Sequence, residues 1–170
     1  MYLESFETES FKFKNYIECS IEEHFKILET RNNIGIRMWM ANNQPISEFD
    51  HINFVQSLKR KLDRVYFAVF HNNQYIASIY MTDIEGECGE RGIYVAPSYQ
   101  GKGMTQNIEF DFLNYLRHRG FKYVLAKVKV DNKRSIHYHI KMGYKEETRD
   151  NEYIYYKLEI ENEIIKKVNT

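Results

Sequence analysis

The chain has 170 residues, 43% of them hydrophobic, which suits one domain with a sizeable core and leaves little room for two. Lys and Arg together number 24, as do Asp and Glu, so the formal net charge is zero. This balance gives no reason to expect a nucleic-acid or membrane partner. No apolar run approaches the roughly 20 residues of a membrane-spanning helix. The acidic start at 1–5 is unlike a signal peptide.

The two cysteines, Cys19 and Cys88, lie far apart in the sequence. This spacing predicts neither a disulfide framework nor a zinc site. We therefore expect reduced thiols in a cytoplasmic protein without a bound metal. A catalytic thiol oriented by His51 or His139 is an alternative, but nothing in the sequence pairs either histidine with a cysteine.

The first 63 residues predict one strand and two helices. Ser20, with Glu23 three positions later, has the pattern of a capping box, and Ser47 begins the second helix. The predicted bounds in chain order are a strand over 11–18, a helix to about Arg31, an irregular stretch over 32–46 that contains Pro45, and a helix ending near Lys61.

The remaining residues predict strands that alternate with two helices. Asn72 and Asn73 predict a hairpin turn, and Gly120 and Gly143 predict helix ends. The predicted strands are 64–70, 74–81, 90–95, 121–130, 144–149 and 152–160, with a loop over 86–89, and the predicted helices are 103–118 and 132–142. This order predicts one α/β (α+β) domain over 1–160, followed by a polar tail, 161–170.

The strongest functional signal is YVAPSYQGKGMT at 94–105, where a strand leads through a glycine loop into a helix. Free N–H groups and the positive end of the helix dipole bind anions such as pyrophosphate. Glycines let the backbone approach the phosphates closely. The spacing fits neither a dinucleotide-binding GxGxxG loop nor a Walker loop. An ordinary glycine turn before a helix is the alternative.

This segment resembles the coenzyme A loop of the GNAT superfamily, Q/R-x-x-G-x-G/A, with Gln100, Gly103 and Thr105 at the defined positions. Thr105 departs from the usual small residue. The resemblance implies acetyl-CoA as acetyl donor, and a mixed, mostly antiparallel sheet of about seven strands flanked by about four helices. It also implies that the loop amides hold the pyrophosphate and that the preceding strand binds the pantetheine arm. The implied residues are Ile93, Tyr94, Val95, Gln100, Gly101, Lys102, Gly103, Met104 and Thr105.

A second segment, 131–144, resembles the family pattern N-x-R-[AS]-I…Y-x-K-x-G-[FY]. The resemblance implies that its helix lies beside the pantetheine end of CoA, with Asn132, Ser135 and Tyr138 as further contacts. His139 stands where the family has a tyrosine near the thioester sulfur. A neutral imidazole retains one N–H, so we expect His139 to donate it to the sulfur. Adjacent helical side chains diverge by about 100°, so Tyr138 is not a simple substitute. The combined match covers roughly 64–160, the expected acetyl-CoA-binding core.

The acceptor side is expected within residues 1–63. Residues 31–54 resemble GNAT enzymes that acetylate the amine of a nucleotide-linked amino sugar, the pseudaminic-acid pathway type. The resemblance implies that Arg31 and His51 contact the diphosphate or uridine and that Trp39 and Met40 face the sugar. The planar guanidinium of arginine suits a diphosphate, and an aromatic ring suits a deoxy-sugar face. Alternatively, Trp39 and Met40 belong to the core and Arg31 is solvated.

Glu90 is the candidate general base, because it shares a strand face with Gly92 and Tyr94. We expect direct transfer to a small-molecule amine in a ternary complex, with a backbone N–H near Val95 stabilising the oxyanion. The expected protein is a monomer or homodimer. Two alternatives stay open: acetylation of a protein N-terminus, polyamine or amino acid, and a catalytically weak acyl-CoA-binding module that lacks the family tyrosine.

Overall fold

The computed structural model describes residues 3–160, and the predicted tail lies outside them. One sheet has the strand order β1-β2-β3-β4-β5-β6-β8-β7. Its strands are β1 (Phe6–Glu7), β2 (Lys12–Asn15), β3 (Val65–His71), β4 (Gln74–Glu85), β5 (Cys88–Val95), β6 (Tyr123–Lys129), β7 (Lys145–Arg149) and β8 (Tyr153–Glu159). The helices are α1 (Ile21–Asn32), α2 (Ile34–Arg37), α3 (Glu48–Leu58), α4 (Met104–His118) and α5 (Lys133–Lys141). The predicted mixed, mostly antiparallel sheet is confirmed.

Local sequence signals define most helix boundaries. The Ser20 side chain accepts from the backbone N–H of Glu23, and the Glu23 carboxylate accepts from the Ser20 N–H, which completes the predicted capping box. The Ser47 side chain caps α3 in the same way by accepting from Asp50. The turn at Asn72 and Asn73 is also confirmed, since both residues have positive φ angles, of 48° and 61°.

The structure differs from the predicted elements in three places. The predicted strand over 11–18 is shorter, because Asn15 caps a 3-10 turn over Tyr16–Glu18 that ends it. Within the stretch predicted to be irregular, Asn33 caps the short helix α2. The predicted loop over 86–89 shrinks to a tight turn at Gly86, so that β4 and β5 form one long hairpin. With the two-residue β1, the sheet has eight strands where about seven were expected.

Two clusters of buried side chains form the core. The larger packs the apolar stripe of α4, which includes Ile108, Phe112 and Leu116, against the sheet. The smaller joins Ile27 of α1 and Val55 of α3 to strand residues. Among residues 3–160 there is no helix long and apolar enough to cross a membrane.

The parallel pair β5–β6 is connected by α4, as a parallel connection requires. These two strands share one paired position, Glu90 with Leu125. By contrast, β5 pairs with β4 as far as Val95. Beyond Glu90 the edge of β5 that faces β6 is therefore unpaired, which leaves a gap in the sheet with backbone groups free to bind a ligand.

Candidate active site

The loop between β5 and α4 has the geometry of an anion site. Gly101 and Gly103 have φ angles of 75° and 74°, in the left-handed region that glycine adopts without steric cost. Gly103 is the N-cap of α4, and no side chain caps the first turn of this helix. No side chain therefore competes for the first N–H groups of α4, and the binding of an anion by this loop stays a prediction. Lys102 and Met104 lie in the same loop and helix start.

A cavity of about 290 Å³ follows the gap between β5 and β6. It brings together most of the predicted site residues: Trp39, Met40, Ile93, Tyr94, Val95, Gln100, Thr105, Asn132, Ser135, Tyr138 and His139. Seven predicted residues do not line it: Arg31, His51 and Glu90, and the loop and helix-start residues Gly101, Lys102, Gly103 and Met104. The cavity runs from the glycine loop to α2, so it connects the predicted donor and acceptor regions.

Gln100 and Asn132 fix the donor end through side-chain hydrogen bonds. The Gln100 amide donates to the carbonyl of Val95 at 3.0 Å and accepts from Arg134 at 3.2 Å, which ties the end of β5 to α5. Asn132 is the N-cap of α5, because its side chain accepts from the N–H of Ser135 at 3.0 Å. Both residues thus hold the cavity walls in place, and both line the cavity.

His139 does not have the free N–H that its predicted role requires. It is buried, and its Nδ1 lies 2.7 Å from the carbonyl oxygen of Ser135, so Nδ1 is the protonated nitrogen. Nε2 then accepts from Arg91 at 2.9 Å. Burial and the nearby Arg91 cation lower the pKa of His139 to about 3, so the ring stays neutral. The expectation that His139 donates to the thioester sulfur is corrected, because its only N–H bonds the backbone.

A buried polar network that the sequence reasoning missed lies behind His139. Arg91 of β5 and Glu109 of α4 form an ion pair at 2.9 Å, with side chains 2% and 0% exposed. Tyr144 accepts from Arg91 at 3.1 Å and donates to Glu109 at 2.5 Å, and the Tyr138 hydroxyl also donates to Glu109. Every group thus has a partner, as buried charges require. Glu109 lies on the apolar stripe of α4, a signal that could have identified the network.

The Tyr138 hydroxyl belongs to this network, because it donates its hydrogen to Glu109. Burial and the Glu109 carboxylate raise the pKa of Tyr138 well above its usual value. The side chain lines the cavity while its proton is directed at α4. Tyr138 therefore links the cavity wall to the buried ion pair.

Glu90 lies beside the cavity, on the strand face of Gly92 and Tyr94. Burial raises the pKa of its carboxyl, and so does the nearby Asp83, while Lys127 and Arg91 act in the opposite direction. A carboxylate with a raised pKa is a stronger base. Because the side chain does not line the cavity, contact with an acceptor amine would require an intervening water.

The acceptor end is formed mainly by α2 and the residues that follow it. Gly35, Ile36, Trp39 and Met40 line the cavity there, and the Trp39 side chain is 38% exposed. The alternative in which Trp39 and Met40 are core residues is thus wrong for Trp39. The Lys129 ammonium donates to the carbonyl of Met38 at 3.0 Å, which attaches this segment to β6.

Arg31 and His51 have partners inside the protein. Arg31 Nη2 donates to the Asn42 carbonyl at 2.7 Å, while Nη1 is buried and has no partner among the described residues. His51 Nε2 lies 3.1 Å from Nδ1 of His24. Burial and the nearby His24 lower the pKa of His51 to about 4. His51 is therefore a neutral, buried residue, and Arg31 retains an unused donor.

The cavity lining is strongly positive. Arg91, Lys127, Lys129 and Arg134 contribute cations, and no Asp or Glu of the described residues lines the cavity. Since Glu109 neutralises Arg91, three cations remain for ligands. Across residues 3–160 no group of three or more His, Cys, Asp or Glu side chains could hold a metal ion.

This arrangement of loop, split sheet and flanking helices agrees with the results of comparison with known proteins. Residues 26–144 match the Acetyltransferase (GNAT) family. The chain belongs to this family. It is therefore an N-acetyltransferase that uses acetyl-CoA as donor.

Individual acetyltransferases resemble this chain in sequence or in fold. The acetyltransferase PseH of Campylobacter jejuni is 30% identical over 106 residues, which are 61% of this chain and 67% of that protein. The crystal structure of C. jejuni N-acetyltransferase PseH with acetyl coenzyme A has a TM-score of 0.68 at 22% identity, covering 88% of this chain and 98% of that one. Vibrio cholerae spermidine N-acetyltransferase with CoA and spermine has a TM-score of 0.76 at 17% identity, covering 89% and 96%. The two structural likenesses show the fold alone.

Proposed function

We propose that this GNAT enzyme acetylates the amino group of a nucleotide-linked amino-deoxy sugar. The observation that carries the proposal is the charge of the cavity, which has Lys127 and Lys129 near its acceptor end and no carboxylate among its described lining residues. Such a lining favours an acceptor that carries phosphate groups. It disfavours a polyamine, whose ammonium groups need acidic partners. Sequence similarity to PseH, a pseudaminic-acid pathway acetyltransferase, supports this substrate class.

The acceptor end also offers apolar and aromatic surface. Ile36, Trp39 and Met40 line it. An aromatic ring and apolar side chains suit the C–H face of a deoxy sugar. The sugar amine would then lie against β5, where its strand edge is unpaired.

Arg31 is the candidate contact for the diphosphate. Its Nη2 holds the 38–46 loop by donating to Asn42, while its buried Nη1 has no partner among the described residues. An unpaired buried donor is costly, and a phosphate oxygen would satisfy it. His51 is neutral, buried and bonded to His24, and it does not line the cavity, so the proposal gives it no contact with the nucleotide.

Catalysis requires that the amine lose a proton as it attacks the thioester. Glu90 takes this proton through a water molecule, because its side chain lies beside the cavity and its pKa is raised. A general base of this kind contributes roughly 10²–10⁴-fold to the rate. Binding energy from the nucleotide holds the amine in place.

The test is an acceptor panel with CoA release as the readout. It compares UDP- and dTDP-linked 4-amino and 3-amino dideoxy sugars with the free amino sugars, peptides with free N-termini, polyamines and amino acids. We expect the nucleotide sugars to have the highest kcat/KM, and removal of the nucleotide to lower kcat as well. A clear preference for a peptide or polyamine would refute the proposed acceptor and leave the family unchanged.

Arg31→Ala tests the diphosphate contact within the same panel. It should lower kcat/KM for the nucleotide sugar by an amount equivalent to about 1.5–3 kcal/mol of transition-state stabilisation, the scale of a charged hydrogen bond. The kcat/KM for a free amino sugar should be almost unaffected. Arg37→Ala is the matched control, because Arg37 also donates to this loop, at 2.6 Å to the Asn43 carbonyl. Equal losses in both variants would assign Arg31 only to loop support.

A further inference from the structure

Tyr80 occupies the space that a side chain at Gly92 would need. The two residues are partners in the β4–β5 register. A Cβ atom on Gly92 would overlap Cζ and the hydroxyl oxygen of Tyr80. Gly92 is not among the residues with positive φ. Glycine is therefore required at 92 by the phenol that covers it and not by its backbone conformation.

Other aromatic side chains support the phenol. The Tyr80 ring stacks on Tyr66, with centroids 4.7 Å apart and an interplanar angle of 20°. Tyr66 is held in turn by Phe54 in an edge-to-face contact at 5.0 Å. No residue of the described chain hydrogen-bonds the Tyr80 hydroxyl. Tyr80 is thus positioned by packing, and it presents the bulk of its ring to the cavity it lines.

The position of this ring along the cavity corresponds to the acyl end of the donor. Gln100, Thr105 and Arg134 line one end, beside the loop that fits the pyrophosphate, and Ile36 and Met40 line the acceptor end. The reacting thioester has to lie between donor phosphate and acceptor amine. Between them the cavity passes Gly92 and Tyr94 on the unpaired edge of β5, and Tyr80 covers that stretch.

We propose that Tyr80, seated on Gly92, limits the length of the acyl group that the enzyme transfers. An acetyl group ends at its methyl, whereas propionyl and butyryl groups extend by one and two methylenes into the space of the phenol. Because Tyr66 and Phe54 hold the ring, it cannot move aside without losing their contacts. This inference concerns the donor and does not depend on the identity of the acceptor.

The experiment measures the affinities of free CoA, acetyl-CoA, propionyl-CoA and butyryl-CoA by calorimetry without an acceptor. For the parent enzyme we expect butyryl-CoA to bind at least roughly tenfold more weakly than acetyl-CoA, the scale of one or two misplaced methylenes. In Tyr80→Ala the two affinities should differ by less than about threefold, with free CoA binding unchanged. Tyr80→Leu, which keeps more of the core volume, is the second variant if the first does not fold.

Two controls separate bulk from other effects. Tyr80→Phe retains the ring and should keep the parent's acyl preference. Tyr75→Ala removes the same bulk from the same strand, but Tyr75 lies in the smaller core cluster and not on this cavity wall, so it too should keep the preference. The proposal is overturned if the parent binds butyryl-CoA as well as acetyl-CoA, if Tyr80→Ala retains the parent's ratio, or if Tyr80→Phe relaxes it.

Discussion

The donor and acceptor ends of the cavity differ in the groups that they offer to a ligand, which are backbone groups at one end and side chains at the other. At the donor end the groups proposed to bind the ligand belong mainly to the backbone: the loop at Gly101 and Gly103, the uncapped first turn of α4, and the unpaired edge of β5. At the acceptor end they are side chains from separate segments, among them Trp39 of the α2 region and Lys127 of β6. The donor end therefore depends on conformation and the acceptor end on side-chain identity, so different substitutions should disrupt them.

The largest effect is expected at the buried ion pair that supports the donor end. Arg91→Ala leaves the Glu109 carboxylate buried without its cation and should lower the free energy of unfolding by about 3–5 kcal/mol. Urea denaturation measures this loss. Arg149→Ala is the control, because its partner Glu146 and Arg149 itself are solvent-exposed, and it should cost about 0–1 kcal/mol. Similar losses in the two variants would show that the buried network does not support the donor wall.

The second-largest effect is expected for CoA affinity when the loop between β5 and α4 is changed. Gly103→Asp places a carboxylate beside the free N–H groups of α4, where it competes with phosphate. CoA affinity should fall by about tenfold to 100-fold, the equivalent of a charged hydrogen bond, while the fold survives. Gly86→Asp is the control: it makes the same change at a glycine whose φ is likewise positive, 58°, and whose surroundings are equally open. If calorimetry finds equal CoA affinity in both variants, the assignment of this loop to the donor site is wrong.

The same contrast explains what could be predicted from the sequence. The glycine loop and the helices α4 and α5 depend on neighbouring residues, and all were predicted, whereas the Asn132 cap of α5 was not. The capping box at Ser20 was predicted for the same reason. The short helix α2 was missed, because a four-residue helix has no apolar periodicity to detect.

Contacts between distant segments could not be predicted. Arg91 and Glu109 are 18 positions apart, and Tyr80 meets Gly92 only because β4 and β5 pair in one particular register. His139 was placed by its spacing from Gly143, which fixes its position on α5 but not its partners. Arg91, which donates to Nε2 and so leaves Nδ1 as the protonated nitrogen, comes from strand β5.

The smallest effect is a pH dependence of stability at buried histidines. Burial lowers the pKa of His51, in the N-terminal region, to about 4 and the pKa of His139, on the cavity wall, to about 3. The pKa of His24, the partner of His51, is lowered as well. Such a ring is neutral in the folded protein but binds a proton in the unfolded chain below its ordinary pKa of about 6.5. The stability it contributes is therefore complete above pH 6.5 and is lost as the pH falls toward 4 for His51 and toward 3 for His139.

Between pH 6 and pH 5 His51 and His139 should each lower the free energy of unfolding by on the order of 1 kcal/mol. His51→Gln and His139→Gln should each make the decline in melting temperature over this interval shallower, whatever they do to stability at pH 7. His139→Gln should continue to differ from the parent to a lower pH, because the ring lies against the Arg91 cation, whereas His51 faces a second histidine. His118→Gln changes an exposed histidine and should leave the slope as it is. An unchanged slope in His139→Gln would mean that its ring is protonated beside Arg91 in the folded protein, and the assignment of its single N–H to the Ser135 carbonyl would then have to be abandoned.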